Sequence, residues 1–313
     1  MRVMVTGAAG FIGAHLCRAL AAEGVDVVAV DCFLQDSYDA SIKRRAARNV
    51  TADTGIEVLE LDIRSDLPEH VWQDVDAVVN LAAMPGLMKS WENFELYNSC
   101  NIGGVNRLLQ QAHERGTPHF IQVSTSSVYG KTATGGEGDP LNPISPYGVT
   151  KLAGERLVAA YGATFGMPFS ILRYFSVYGP GQRPDMAYHI FAERILREEP
   201  IVVYGDGCQS RSNTYVGDVV SGTVACVLGG SLMRPVNVSG GEVIALLDAI
   251  AILEETLGMR AILEFKPARP GDQRHTNGDS SLARDLLGYE PRTTVRDGLA
   301  AQAEWHLLMR QSA

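Results

Sequence analysis

Tyr147 and Lys151 stand four residues apart, a spacing that sets two side chains on one face of a helix. A tyrosine hydroxyl titrates near ~10, too high for a proton acceptor at neutral pH. A neighbouring ammonium favours the phenolate and lowers that value. The pair is therefore a candidate general base with its tuning partner, although the same spacing also suits an ordinary exposed helix face. Just upstream, Ser124-Thr125-Ser126-Ser127 closes a strand-like stretch. Active sites in open α/β sheets gather at such carboxyl ends of strands. Thr125 offers a hydroxyl that can share a substrate alcohol with Tyr147.

A second set suits a dinucleotide. Gly7, Gly10 and Gly13 lie between an apolar run and a helical pattern. Glycines there allow a tight turn, close approach of a pyrophosphate, and close helix–strand contact. Phe11 and Ile12 open the helix, whose free N–H groups and dipole favour phosphate. Asp31 ends the next strand, 18 residues after Gly13. A carboxylate there accepts both ribose hydroxyls and repels a 2′-phosphate, and the following Cys32 and Phe33 are not basic. The cofactor expected is therefore NAD rather than NADP. Asp62 and Ile63, after a third strand, are placed to border the adenine. Leu81, Ala82 and Ala83, after a fourth, are small enough at their centre for a cofactor to lie close.

These residues need a sheet to position them. Strand patterns fall at Arg2–Thr6, Val25–Val30, Ile56–Glu60, Ala77–Asn80, His119–Val123 and Phe169–Leu172. Helical periodicity covers Phe11–Glu23, Glu92–Arg115 and Tyr147–Phe165. Strands alternating with helices predict a Rossmann-type doubly wound parallel sheet with both faces covered. After about residue 175 the alternation loosens. Short strands (Ile201–Val203, Pro235–Val238, Ala261–Phe265) mix with helices (Val216–Leu228, Val243–Leu257, Thr294–Leu308). The expected division is a cofactor domain over 1–175 and a smaller mixed α/β substrate lobe over 176–313, with some chain crossing between them.

Composition narrows the partners. The 313 residues carry a net charge of −9, which argues against a general nucleic-acid surface. The five cysteines form no CxxC pair and are odd in number, as expected for reduced thiols in a cytoplasmic protein. The seven histidines show no metal-site spacing, so no metal is expected. No apolar run approaches the ~20 residues of a membrane span.

Taken together, the glycine motif, Asp31, Ser-Thr-Ser-Ser-Val-Tyr-Gly (124–130), Tyr147-x-x-x-Lys151 and Arg173-Tyr174-Phe175 resemble the extended short-chain dehydrogenase/reductase family. The closer likeness is to its NAD-dependent epimerase/dehydratase branch, and it runs over nearly the whole chain. The resemblance implies Tyr147 as catalytic base, Lys151 as ligand of the nicotinamide ribose, and Thr125 as hydroxyl partner. It also implies Asn101 near the cofactor and Tyr174 beside the nicotinamide. A homodimer through the helices near 92–115 and 147–165 is implied as well.

Dehydratases of this branch carry Asp and Glu where Ser126 and Ser127 stand here, and related decarboxylases carry Glu at 127. Both reactions are disfavoured, which leaves C4 epimerisation through a transient 4-keto sugar. Arg183-Pro-Asp-Met-Ala resembles the UDP-glucuronate 4-epimerases. A guanidinium suits a sugar carboxylate, which it can bind by two parallel hydrogen bonds. The alternative at Arg183 is a loop residue paired with Asp185. Ser126, Ser127 and Ser176 complete the sugar contacts, and Arg211, Arg269 and Asp272 resemble the diphosphate and uridine contacts. The chain departs from glucuronate epimerases at Met88, Ser212, Asn213 and Gly217. A UDP-glucose/UDP-galactose 4-epimerase, a dehydratase and a non-catalytic NAD-binding regulator are the competing readings.

Overall fold

Alternate residues of the first strand feed opposite hydrophobic layers. In the computed structural model, which describes residues 1–35, 38–267 and 276–311, β1 (Arg2–Thr6) is buried along almost its whole length. Val3 and Val5 pack among the residues of one core, Met4 among those of another. A strand buried on both faces belongs inside a parallel sheet.

From β1 the chain continues through α1 (Phe11–Ala22), β2 (Asp26–Asp31), α2 (Ala40–Thr54), β3 (Val58–Glu60) and β4 (Ala77–Asn80). Then come α3 (Lys89–Glu92), α4 (Phe94–Asn98), α5 (Val105–Glu114), β5 (His119–Thr125), α6 (Pro146–Phe165) and β6 (Phe169–Tyr174). The second half supplies β7 (Val177–Tyr178), α7 (Ala187–Leu196), β8 (Pro200–Tyr204), β9 (Ser210–Ser212), β10 (Thr214–Tyr215) and α8 (Val216–Gly229). It ends with β11 (Pro235–Val238), β12 (Val243–Ala245), α9 (Leu246–Leu257), β13 (Ile262–Lys266), α10 (Ser281–Leu287) and α11 (Val295–Gln311).

Among the described residues, seven strands pair in the order β11-β6-β5-β4-β1-β2-β3, every ladder parallel. This is the doubly wound sheet the sequence predicts. The order reverses between β1 and β4, which opens a crevice at their carboxyl ends. Leu16 and Leu20 of α1 and Val219 of α8 cover one face. Leu108 and Leu109 of α5 and Val158 of α6 cover the other. A third core, centred on Tyr178, Phe191, Ile250, Leu253 and Leu299, holds α7, α9 and α11 together. No described helix is long and apolar enough to cross a membrane.

Two expected helices differ. The run 92–115 is broken, because Asn93 leaves the helical conformation at φ −134° and its side chain caps α4 by accepting from Leu96 N. A π turn at Ser99–Gly104 follows and buries Asn101. The run 243–257 begins as a strand, because β-branched Val243 and Ile244 pair antiparallel with Ser212 and Arg211.

Candidate active site

The crevice is a cavity of about 850 Å³, and the glycine turn forms one end of it. Gly7 sits at φ +70°, and a Cβ there would meet the Ala82 backbone nitrogen at 2.9 Å. A Cβ on Gly13 would fall 2.1 Å from the Gly7 carbonyl oxygen, so both positions require bare backbone. Gly10 begins α1 without a side-chain cap, and Gly10, Phe11, Ile12 and Gly13 line the cavity. A helix start of this kind fits the diphosphate of a dinucleotide.

Asp31 stands at the end of β2 and is 5% exposed. Its Oδ2 accepts from Ala9 N at 3.1 Å and its Oδ1 from Phe33 N at 2.8 Å. The second bond holds Phe33 at φ +48°, a costly conformation for a bulky residue. Lys43 of α2 places its ammonium 3.9 Å from Asp31 Oδ1. Lys43 and Tyr38 line the cavity but were not singled out in the sequence, because no motif marks them. Asp31→Ala is expected to weaken cofactor retention by on the order of tenfold or more, as loss of a charge-assisted bond implies, and to lower the melting temperature. Gel filtration followed by the 260/280 nm absorbance ratio checks the first effect.

Asp62, Ile63, Leu81, Ala82 and Ala83 all line the cavity. Asp62 is tied to Arg64, whose Nη2 lies 2.6 Å from its Oδ2. Asn101 does not line the cavity. It lies behind the wall, donating to the Met84 carbonyl (3.0 Å) and the Thr150 hydroxyl (3.1 Å) and accepting from Met84 N (2.7 Å). It therefore fastens the loop after β4 to α6.

The α6 helix starts at Pro146, with Ser145 as cap accepting from Gly148 N at 3.1 Å. Tyr147 stands in its first turn, Lys151 one turn on and Glu155 another. Tyr147 is hydrogen-bonded to Thr125 at the end of β5. Burial raises its hydroxyl above the usual tyrosine value, while the Thr125 bond and the Arg183 charge pull it down. Lys151 donates to the Val123 carbonyl at 2.7 Å. Burial draws its ammonium down to about 8, against the pull of Glu155. The sequence expects Lys151 to tune Tyr147; in the structure the Arg183 charge also acts on the phenol.

Beneath this pair runs a buried network. Ser124 donates to Glu155 at 2.5 Å, and Arg173 meets both Glu155 oxygens at 3.0 and 2.7 Å. Arg173 also donates to the Tyr129 hydroxyl at 2.9 Å, which donates in turn to Asn237 at 2.7 Å. Glu155→Ala would strand the Arg173 charge, which is expected to cost about 3–5 kcal/mol. Urea unfolding of both proteins measures it.

Thr125, Ser126, Ser127, Ser176 and Arg183 border the same cavity. Arg183 is engaged by Asp185, Nε to Oδ1 at 2.9 Å and Nη2 to Oδ2 at 3.0 Å, and Asp185 lines the cavity too. Tyr174 also borders it, with its hydroxyl 2.6 Å from that of Thr223 on α8. Arg211 lies where the cavity continues into a second of about 580 Å³ that shares Ser176, Val177, Asp185 and Met186. Asn213, one of the departures, donates to the Tyr188 hydroxyl at 2.8 Å, and both line this second cavity. Ser212 is buried, its hydroxyl 2.7 Å from that of Ser239. Arg269 and Asp272 lie outside the described residues.

A doubly wound sheet with a glycine turn, a terminal aspartate and a Thr–Tyr–Lys cluster in one crevice defines a nucleotide-dependent enzyme class. The sequence model of the NAD dependent epimerase/dehydratase family matches residues 3–238, and the chain belongs to that family. Among individual proteins, it is 38% identical to UDP-glucuronic acid 4-epimerase from Bacillus cereus, solved with UDP-glucuronic acid and NAD. That match has a TM-score of 0.93 and covers 99% of this chain and 100% of the other. It is 34% identical to a UDP-glucuronate 4-epimerase of Thermodesulfobacterium geofontis, over 96% of this chain and 95% of that one. It is 40% identical to a Bacillus subtilis protein named as an uncharacterized UDP-glucose epimerase, over 96% of both.

Proposed function

We propose that this chain is an NAD-dependent isomerase that inverts C4 of UDP-glucuronate to give UDP-galacturonate. The observation that carries the reading is the joining of two groups in the lining of one cavity: the hydrogen-bonded Thr125–Tyr147 pair, and the Arg183 guanidinium with three serines. The relatives solved with, or named for, UDP-glucuronate support it.

The residues present fit NAD. Gly7 and Gly13 leave room for the pyrophosphate, α1 offers its N-terminus, Asp31 suits the adenosine ribose, and Lys151 would hold the nicotinamide ribose. When bound, NAD supplies reversible oxidation at C4. Tyr147 takes the C4 hydroxyl proton and later returns it, and Thr125 shares that hydroxyl and fixes its direction. Arg183, Ser126, Ser127 and Ser176 hold the sugar carboxylate. The absence of an acidic side chain at 126 and 127 leaves nothing there to drive elimination. The second cavity, with Arg211 at its mouth, takes the nucleotide.

Incubating the purified protein with UDP-glucuronate, with no NAD added, tests the reading by chromatography and NMR. Appearance of UDP-galacturonate without UDP-pentose supports it. No conversion even after NAD is supplied overturns it. A neutral UDP-glucose substrate is the second reading, favoured by the Arg183–Asp185 pair and by the Bacillus subtilis relative. We place the enzyme in the cytoplasm as a homodimer through α5 and α6. The aromatic cluster of His113, Tyr161 and half-exposed Phe165 supports this face, and sedimentation analysis tests it.

A further inference from the structure

Arg183 belongs to the loop between β7 and α7, and three helices fasten that loop. Its start is pliable, with Gly179 at φ +136° and Gly181 at φ +80°, so contacts from outside must select one shape. On α11 the bare backbone of Gly298 lets the helix lie against Tyr178 and Tyr215: a Cβ there would run into the Tyr178 hydroxyl and fall 2.8 Å from the Tyr215 ring. Gln302 stands one turn further along the same face and is wholly buried.

Gln302 Oε1 accepts from Gly179 N at 2.9 Å, and its Nε2 donates to Gln182 Oε1 at 2.8 Å. Backbone partners decide both amide orientations. Gly179 N only donates, and the Val177 carbonyl, which takes Gln182 Nε2 at 3.1 Å, only accepts. Gln182 Oε1 also accepts from His189 N at 3.0 Å. The Gln182 backbone N donates to the Gly179 carbonyl at 3.1 Å, and its carbonyl accepts from His189 Nδ1 at 2.7 Å. Every polar group of Gln182 is thus bonded, and the residue is 3% exposed. Arg183 is its neighbour in the chain. From the other side, the Pro180 carbonyl accepts from Nε2 of His15 on α1 at 2.9 Å.

Two buried amides are costly where an apolar pair would fill the same space, unless their bonds hold something. What they hold is the backbone that sets the position of Arg183. We propose that Gln302, acting through Gln182, and His15 are positioning residues for uronate recognition: they fix the loop so that the Arg183 fork meets the sugar carboxylate. Neither Gln302 nor His15 lines a cavity, so both act through Arg183 and not on the sugar. This rests on the assignment of Arg183 to the carboxylate under the proposed function. Its consequence is chemical as well as energetic. In a 4-keto uronate whose carboxylate is poorly held, the C5–C6 bond breaks, its electron pair passes into the C4 carbonyl as an enolate, and CO₂ departs. Protonation at C5 then leaves a UDP-4-ketopentose, so a loosened loop should show itself in the product.

Gln302→Met nearly keeps the volume and removes both bonds. In the NAD-loaded enzyme it is expected to raise KM for UDP-glucuronate by on the order of tenfold or more, the scale of a reacting or binding group displaced by about an ångström, with kcat falling less. UDP-pentose or its 4-keto form should appear beside UDP-galacturonate. His15→Phe, at a partly buried position on α1, removes the Pro180 bond and should move KM and product in the same direction. Ile250→Val thins the core that α11 shares without reaching the loop; it should lower the melting temperature and change neither KM nor product. Unchanged KM and a clean product in Gln302→Met, or the same changes in Ile250→Val, overturn the proposal. If Gln302→Met does not fold, an unchanged KM and product in His15→Phe overturn it. Failure of the unaltered protein to convert UDP-glucuronate is a different result: it overturns the proposed function, and the positioning role with it.

Discussion

Tyr147→Phe is expected to lower turnover of UDP-glucuronate by on the order of 10³-fold, the scale of a lost general base. The change removes one hydroxyl and leaves the ring in its edge-on contact with Tyr97, 6.3 Å between centroids. Fold and cofactor retention should therefore survive, and a single-turnover rate beside a melting curve separates the two. A residual rate within tenfold of the parent would remove Tyr147 from the chemistry. The pH dependence carries the same information. Burial holds the phenol above its usual value, so it is protonated and idle at low pH, and turnover rises with pH as the phenolate forms. The Arg183 charge opposes that rise in pKa, so removing it should move the ascending limb to higher pH.

Arg183→Gln has the second large effect. If the guanidinium holds the sugar carboxylate, kcat/KM for the uronate should fall by on the order of 10²–10³, the cost of leaving a buried charge unpaired. Turnover of UDP-glucose, compared at a pH above the ascending limb of both proteins, should change little. The product should change as well. A 4-keto uronate is a β-keto acid, and it loses CO₂ when its C5–C6 bond aligns with the carbonyl π system. Freed from its clamp, the carboxylate reaches that alignment, and UDP-pentose should appear. Asp185→Asn acts the other way, because Asp185 competes for the Arg183 fork, and it should leave uronate binding unchanged or tighter. Equal losses on both sugars with Arg183→Gln would return this residue to a purely structural role.

The cofactor turn was legible in the sequence because its determinants are local: a buried strand, three glycines, a helix and an aspartate, each constrained by its own backbone. The parallel sheet likewise follows from alternating periodicity, although nothing local announces that Pro235–Val238, expected in the second lobe, joins it beside β6. Less local features escaped. Nothing in the residues 99–104 announces that the helix there widens into a π turn, since that depends on Asn101 finding Met84 and Thr150. The helices α2 and α7 carry weak patterns, and with α2 went Lys43. Val243 and Ile244 satisfy a helical and a strand pattern equally until β9 is beside them. The Gln182–Gln302 pair joins residues from opposite ends of the second half, so sequence spacing holds no trace of it.

The strand β11 joins the central sheet from the far half of the chain, pairing with β6 at Pro235–Ile171 through Val238–Tyr174. During synthesis, therefore, the first six strands emerge with β6 as an unprotected edge, although its residues are all buried in the finished protein. Such an edge is a template for pairing with another chain. A fragment ending near residue 175 should accordingly aggregate rather than survive as a free cofactor domain. The ribosome must deliver some sixty further residues before the sheet can close, and a chaperone that shields apolar strands would have its work in that interval.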